Sequence, residues 1–174
     1  MVERFINTAD VETDADEVDS PEKLTAWLHK VGLLQAGESA SASDVDRALT
    51  VREALRGLAL SNNGGQLYPV DLATLNRAAT ELQLRLRFGG RNARVDAAGG
   101  GADAALGRIL GAVFTAMVDG TWLRFKACRR HSCRYAFYDP TKNHSGTWCS
   151  MAVCGNRTKA ESYRRRRRLT PAGK

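Results

Sequence analysis

Cys128-Arg-Arg-His-Ser-Cys133 and Cys149-Ser-Met-Ala-Val-Cys154, separated by fifteen residues, hold all four cysteines of the chain. Each pair has four residues between its members. Such a pair makes a tight knuckle that offers two sulfurs on one side, and the intervening loop lets the two knuckles face each other. Zn²⁺ completes that arrangement as a tetrahedron of thiolates at about 2.3 Å. The commonest finger spacing has two residues between paired cysteines, so this version is looser. Two disulfides, an iron–sulfur cluster and a redox dithiol are the other chemistries open to four cysteines. The N-terminus, Met-Val-Glu-Arg-Phe-Ile-Asn-Thr, has no apolar leader, and no run approaches the length of a membrane span. Without a mark of secretion, paired cysteines point first to metal. Zinc on Cys128, Cys133, Cys149 and Cys154 is the expectation, in a cytoplasmic chain.

Four thiolates and one Zn²⁺ leave a charge of −2, which Arg129, Arg130 and Arg134 beside the first pair can offset. No Pro or Gly interrupts the run from Asn156 to Leu169, so a helix is expected to leave the second knuckle. Ala160, Tyr163 and Arg167 share one face of it and are expected to pack on the knuckle. The other faces are basic, through Arg157, Lys159 and Arg164 to Arg168.

Between and after the cysteines stand Phe137-Tyr138-Asp139-Pro140-Thr141-Lys142-Asn143, Trp148, and Cys154-Gly155-Asn156-Arg157. This segment resembles the CGNR zinc finger, which takes its name from the last four residues. Those proteins usually carry an N-terminal ABATE domain, and Phe5-Ile6-Asn7-Thr8, with Asp19 through Trp27-Leu28, is similar to its start. The resemblance covers nearly the whole chain and is most specific in the C-terminal third. It implies a bacterial stress-induced transcription regulator whose finger binds DNA. Where the family often has an arginine or two after the loop Asn-x-Ser, this chain has Gly146-Thr147 following Asn143-His144-Ser145, which weakens the argument for a phosphate contact at those two positions.

The charge is distributed as such a function requires. The net charge of +7 divides into −6 over residues 1–60, +1 over 61–120 and +12 over 121–174. A basic module behind an acidic-to-neutral body is the footprint of a nucleic-acid binder. Membrane-surface binding is not expected, because no stripe of Leu, Phe or Trp opposes the basic faces.

The body reads as mainly helical with a small hairpin, an α+β chain. Ser20-Pro21-Glu22 starts a first helix with Leu24, Trp27, Leu28 and Val31 on one face. Ser43 is the expected cap of a second helix ending at Ser61-Asn62-Asn63-Gly64-Gly65. Val45, Ala48, Leu49, Leu55 and Leu58 form its apolar face, with Val51, Arg47, Arg52 and Arg56 largely off it. A third helix should run from Asp71 to Leu82. The alternation Leu84-Arg85-Leu86-Arg87-Phe88 then predicts a half-buried strand, with Ala93 to Asp96 as its return. A fourth helix, Ala104 to Val118, is apolar over much of its surface and should be central to the core. Trp122 to Lys126 alternates as a strand entering the first knuckle. The division is therefore expected near Gly120, with 1–120 as helical body and 121–174 as finger.

No catalytic set accompanies these elements. A closed four-cysteine site leaves no open coordination position for substrate water, and neither a phosphate-cradling loop nor a hydrolase motif is present. His131 and His144 are spare candidates as zinc ligands. Phe137, Tyr138 and Trp148 are expected to form a mini-core over the metal. Lys142, Asn143, Arg157, Lys159, Arg164, Arg165, Arg166, Arg167 and Arg168 are the candidate contacts to double-stranded DNA. Asn7, Arg52 and Arg56 are the candidate site for a small acidic effector, since arginine forks suit carboxylates. The body would sense a signal or form a homodimer. The other reading is a zinc-based redox sensor, or a module that binds protein or RNA.

Overall fold

The computed structural model describes residues 1–169, with side chains to Arg167; of the expected DNA contacts, the Arg168 side chain lies outside the described residues. The chain opens with α1 (Val2–Ile6) and a minimal hairpin, β1 (Ala9–Asp10) and β2 (Ala15–Asp16). Helices α2 (Pro21–Lys30), α3 (Ala42–Ser61) and α4 (Pro69–Glu81) follow. The second hairpin pairs β3 (Arg85–Gly89) with β4 (Asn92–Asp96), Arg87 opposite Arg94. After α5 (Gly101–Val118), a 3₁₀ turn (Thr121–Arg124) leads into β5 (Phe125–Ala127). This strand pairs antiparallel with β6 (Ala136–Tyr138). A π turn (Met151–Gly155) then runs straight into α6 (Asn156–Leu169). Among the described residues the architecture is thus mainly helical with three small antiparallel pairs.

Local signals explain the helix starts. Ser20 caps α2, accepting a hydrogen bond from the Lys23 amide, with Pro21 at the first helical position. For α3 the cap is Ser41 rather than Ser43. Ser41 accepts from the Asp44 amide while the Asp44 carboxylate accepts from the Ser41 amide, satisfying two orphan donors at once.

α3 is the axis of the core, and here the sequence-based face is too narrow. Val51, Ala54, Arg52 and Arg56 are buried along with Val45, Ala48, Leu55 and Leu58. The helix is enclosed by α1, α2, α4 and β5, so little of it is free for solvent. Phe5 of α1 meets Trp27 of α2 with ring centroids 5.7 Å apart. α5 adds Ala105, Leu106, Ile109 and Val113 to the same cluster. By length and composition α5 could cross a membrane, contrary to the expectation that no run is that long; here one of its faces is in the core. Its other face, with Phe114, Met117 and Val118, is exposed.

Two further expectations need correction. The β3–β4 hairpin is not half-buried: Leu86 is 60% and Phe88 83% exposed. It stands against α5 by the edge of β4 and lays neither face on the core. Residues 121–124 wind into a 3₁₀ turn instead of a strand. Gly120 has φ +78°, and the Asp119 carboxylate accepts from the Thr121 amide and hydroxyl, which coils the chain before β5.

Asparagines tie the finger to the body. Asn62 Nδ2 donates to the Trp122 and Phe125 carbonyls at 2.8 and 2.9 Å. Asn63 Nδ2 donates to Ala127 and Thr147, both at 2.8 Å. Asn7 pairs with Ala136 as a third strand would, donating to its carbonyl and accepting from its amide. Backbone groups at both ends of the β5–β6 ladder are thereby satisfied by side chains from α3 and the end of α1.

The zinc centre and the basic helix

Cys128 follows β5 directly, and its amide donates to the Tyr135 carbonyl at 2.9 Å. The knuckle closes as the Cys133 and Arg134 amides donate to the Arg130 carbonyl, with Arg134 in the left-handed region at φ +54°. On the other side, Ser150 caps the π turn that carries Cys154. A Cβ on Gly155 would stand 2.4 Å from the Met151 sulfur and 3.1 Å from Trp148, so any other residue would have to push the Met151 side chain aside. Asn156 donates back to the Ala152 carbonyl at 3.2 Å, binding the helix start to the turn.

The four sulfurs lie within 4.8 Å of one another. Cys133 and Cys149 are 3.6 Å apart, Cys149 and Cys154 3.7 Å. A disulfide needs about 2.05 Å, whereas the edge of a tetrahedron of Zn–S bonds of about 2.3 Å is close to 3.8 Å. The donor set therefore fits Zn²⁺. Burial pushes the Cys133 thiol up to about 11 and raises Cys149 as well, and the charge of Cys128 adds to the effect on both. Burial also opposes ionisation of Cys128, but backbone hydrogen bonds from Cys149 and Arg130 outweigh it and lower that thiol. Four thiols this close ionise together only around a cation, and the divalent metal supplies that charge. His131 and His144 are outside the sulfur cluster; His131 instead meets Arg134 at 2.6 Å.

Of the three flanking arginines, Arg130 takes the charge-balancing position. It lies against the Cys154 sulfur and pairs with Glu12 at 3.4 Å and Glu161 at 3.7 Å. The aromatic mini-core is only partly formed: Trp148 covers Gly155, but Tyr138 is 48% exposed. The expected packing of α6 on the knuckle does not occur. Ala160 and Tyr163 are exposed, and Tyr163 turns to Arg167, whose guanidinium sits 5.9 Å from the ring centroid. The helix has too few large apolar residues to hold it down, so it projects from the π turn.

The loop between the knuckles is built on a pair that the sequence reading missed. Lys126 Nζ donates to Asp139 Oδ2 at 2.7 Å and to the His144 and Gly146 carbonyls. Asp139 also accepts from the Thr141 amide and hydroxyl and from the Gly146 amide. Burial works against this carboxylate, yet Lys126 and these donors hold it well below the usual range. The Asp-Pro-Thr run was the available signal, since Asp commonly bonds the amide two residues on. Lys142 and Asn143 ride this loop and are exposed.

The remaining candidate residues fall into two groups. Lys159, Arg164, Arg165, Arg166 and Arg167 are exposed along α6, while Arg157 pairs with Glu12 at 2.6 Å. Asn7, Arg52 and Arg56 do gather around α1, but each serves the chain itself. Arg52 forms a fork to both oxygens of Asp16 at 2.8 and 2.7 Å and reaches the Thr8 hydroxyl. Arg56 donates to the Ile6 and Arg134 carbonyls. An acidic effector at this place would have to displace those acceptors.

A helical body thus carries a docked finger whose four cysteines fit zinc, and a basic helix projects from it. Residues 1–120 match the family ABATE, described as "Putative stress-induced transcription regulator", and residues 124–167 match the CGNR zinc finger. The chain belongs to the ABATE family, with a CGNR finger at its C-terminal end. No curated protein gives a significant match.

Proposed function

We propose that the protein is a bacterial transcription regulator that binds double-stranded DNA through α6 and the finger loop. The observation that carries this reading is the projecting basic helix. α6 has one acidic residue, Glu161, against seven Lys and Arg, and leaves the zinc turn with its side chains facing solvent on nearly every side. Fourteen residues make a rod of about 21 Å, and the B-DNA major groove, about 12 Å wide, admits an α-helix. Lys142, Asn143, Lys159 and Arg164 to Arg168 would position the helix on phosphates, with one or two arginines on guanine edges. The zinc fixes the direction in which the helix leaves. Residues 1–120 would be the sensing or dimerising body, 121–174 the DNA-binding finger, both in the bacterial cytoplasm.

The test is binding of the zinc-loaded full chain to random-sequence duplex at several salt concentrations. If about five phosphates are neutralised, log affinity falls against log salt with a slope of about −4 to −5. A full-length protein indifferent to duplex at low salt overturns the reading. One observation favours a second reading, that of a redox sensor: Cys133 and Cys149 are less buried than Cys128 and Cys154. Zinc release at low peroxide, with duplex binding lost in step, would add that role.

A further inference from the structure

Between the β3–β4 hairpin and α5 lies a cavity of about 510 Å³, far from the zinc centre in sequence and built wholly from the ABATE body. Its floor is made of small α5 residues, Ala104, Gly111, Ala112 and Thr115, and from that floor rises Arg108. Gly111 keeps the floor flat and the hairpin close: a Cβ there would stand 2.8 Å from the Val95 carbonyl oxygen. The opposite wall presents Arg87 and Arg94, which face each other directly across the ladder.

This is an unbalanced arrangement. Like charges directly opposite on paired strands destabilise a hairpin. Asp96 is the single carboxylate in the lining and meets both hairpin arginines through Nε, at 2.8 Å for Arg94 and 3.5 Å for Arg87. Arg108 has no ion-pair or hydrogen-bond partner among the described residues. Apart from Asp103, which pairs with Arg47, it is the one charge on an otherwise apolar and small-residue helix. Three guanidiniums thus converge on a concave space with one negative charge among them. The volume is that of a small-molecule site, about 300–1,000 Å³, and guanidinium forks match carboxylate and phosphate oxygens in pairs.

We propose that this cavity binds a small organic anion carrying a carboxylate or phosphate group, held by Arg87, Arg94 and Arg108. The site is independent of whether the finger binds DNA. It is also distinct from the Asn7, Arg52 and Arg56 cluster, whose donors are already engaged.

The test uses the zinc-loaded full chain, with pyrophosphate and citrate as probes at matched ionic strength and glucose as neutral control. Calorimetry and the NMR signals of arginine Nε–H groups give the readout. Saturable binding is expected, weakened about tenfold or more by Arg108→Gln or Arg94→Gln. Both positions are exposed, so these variants should fold. Arg91→Gln, on the hairpin turn outside the lining, should bind as wild type, and so should Arg165→Gln on α6. Preference for one probe identifies phosphate or carboxylate as the recognised group. Equal binding by wild type and Arg108→Gln overturns the proposal, since the anion would then sit on the basic helix. No binding beyond the glucose control overturns it as well. So does an Arg108→Gln variant that loses duplex affinity but shows no small-anion difference, which would make the wall a nucleic-acid contact.

Discussion

Lys126 and Asp139 form a 2.7 Å ion pair whose side chains are 4% and 1% exposed, in a finger with hardly any core of its own. Each member is saturated: the ammonium has three oxygen acceptors, and the carboxylate accepts from the ammonium, two amides and a hydroxyl. Removing one partner strands the other in a water-free place, which costs about 3–5 kcal/mol. Lys126→Met and Asp139→Ala should each lower the stability of the finger by that order and weaken zinc retention. Gly146→Ala should do the same, since its Cβ would stand 2.7–2.9 Å from the Asp139 carboxyl atoms. Chemical denaturation with a zinc-release dye checks all three. Wild-type stability in these variants would mean that the pair is dispensable.

Zinc removal should separate the two halves of the molecule. The finger is held by the sulfurs, the Lys126–Asp139 pair and its docking bonds, whereas the body has the apolar cluster of α2, α3 and α5. Chelation or Cys154→Ser should abolish finger order while leaving most helical circular dichroism, and metal analysis should give one zinc per wild-type chain. Loss of the whole helical signal on chelation would show that the body depends on the metal too.

Docking depends on a few amide groups. Asn63 is 8% exposed and its Nδ2 alone serves two carbonyls from opposite parts of the finger, Ala127 and Thr147. Asn63→Ala leaves the Ala127 carbonyl unpaired and the Thr147 carbonyl with the Arg129 amide alone, at a cost of about 1–3 kcal/mol. The expected result is faster hydrogen exchange throughout β5 and β6 with the α3 amides unchanged. Equal exchange in both proteins would contradict this role.

What could be read from the sequence was local. The cysteine pairs, the Ser20-Pro21 start, the β3–β4 hairpin and the continuous α6 are fixed by neighbours within a few residues. What escaped depends on distant partners. Arg52 and Arg56 read as forks open to an acidic effector because Asp16 and the Ile6 carbonyl reach them only once α1 and β2 fold back on α3. Lys126 read as an outward strand residue because its acceptors lie thirteen to twenty positions on. The exposed Leu86 and Phe88 show the converse, a pattern of alternation without a core to receive it. Two-residue strands such as β1 and β2 are too short to leave any pattern.

The Asp16–Arg52 fork gives the body a defined acid sensitivity. Burial acts to raise the Asp16 carboxyl, but hydrogen bonds and charge from Arg52 prevail and lower it below the ordinary value near 3.8. A carboxylate with a depressed folded pKa contributes stability that is fully present above the unfolded value and is lost as pH falls through the folded one. Asp16→Asn should therefore lower the thermal midpoint at pH 6, and the gap to wild type should close below about pH 4. Acid release of zinc occurs in both proteins and cancels in the difference. A gap that stays constant from pH 6 to pH 3 would show that the charge on Asp16 is immaterial.

Glu12 competes with DNA for the same cations. Its carboxylate, at the tip of the β1–β2 hairpin, takes Arg157 at 2.6 Å and Arg130 at 3.4 Å, at the very start of the basic helix. Both Glu12 and Arg157 remain about half exposed, so the pair is worth no more than about 1 kcal/mol. Glu12→Gln releases Arg157 for phosphate and removes a negative charge from the rim of the interface. On the DNA-binding reading, the variant should bind random duplex about two- to fivefold more tightly, with a slightly steeper salt slope, and fold as wild type. Arg157→Gln should then weaken binding more in the Glu12→Gln background than in wild type, because only there is the guanidinium free of its acidic partner. If the two substitutions act additively, Glu12 does not restrain Arg157, and the acidic hairpin is simply a neighbour of the finger.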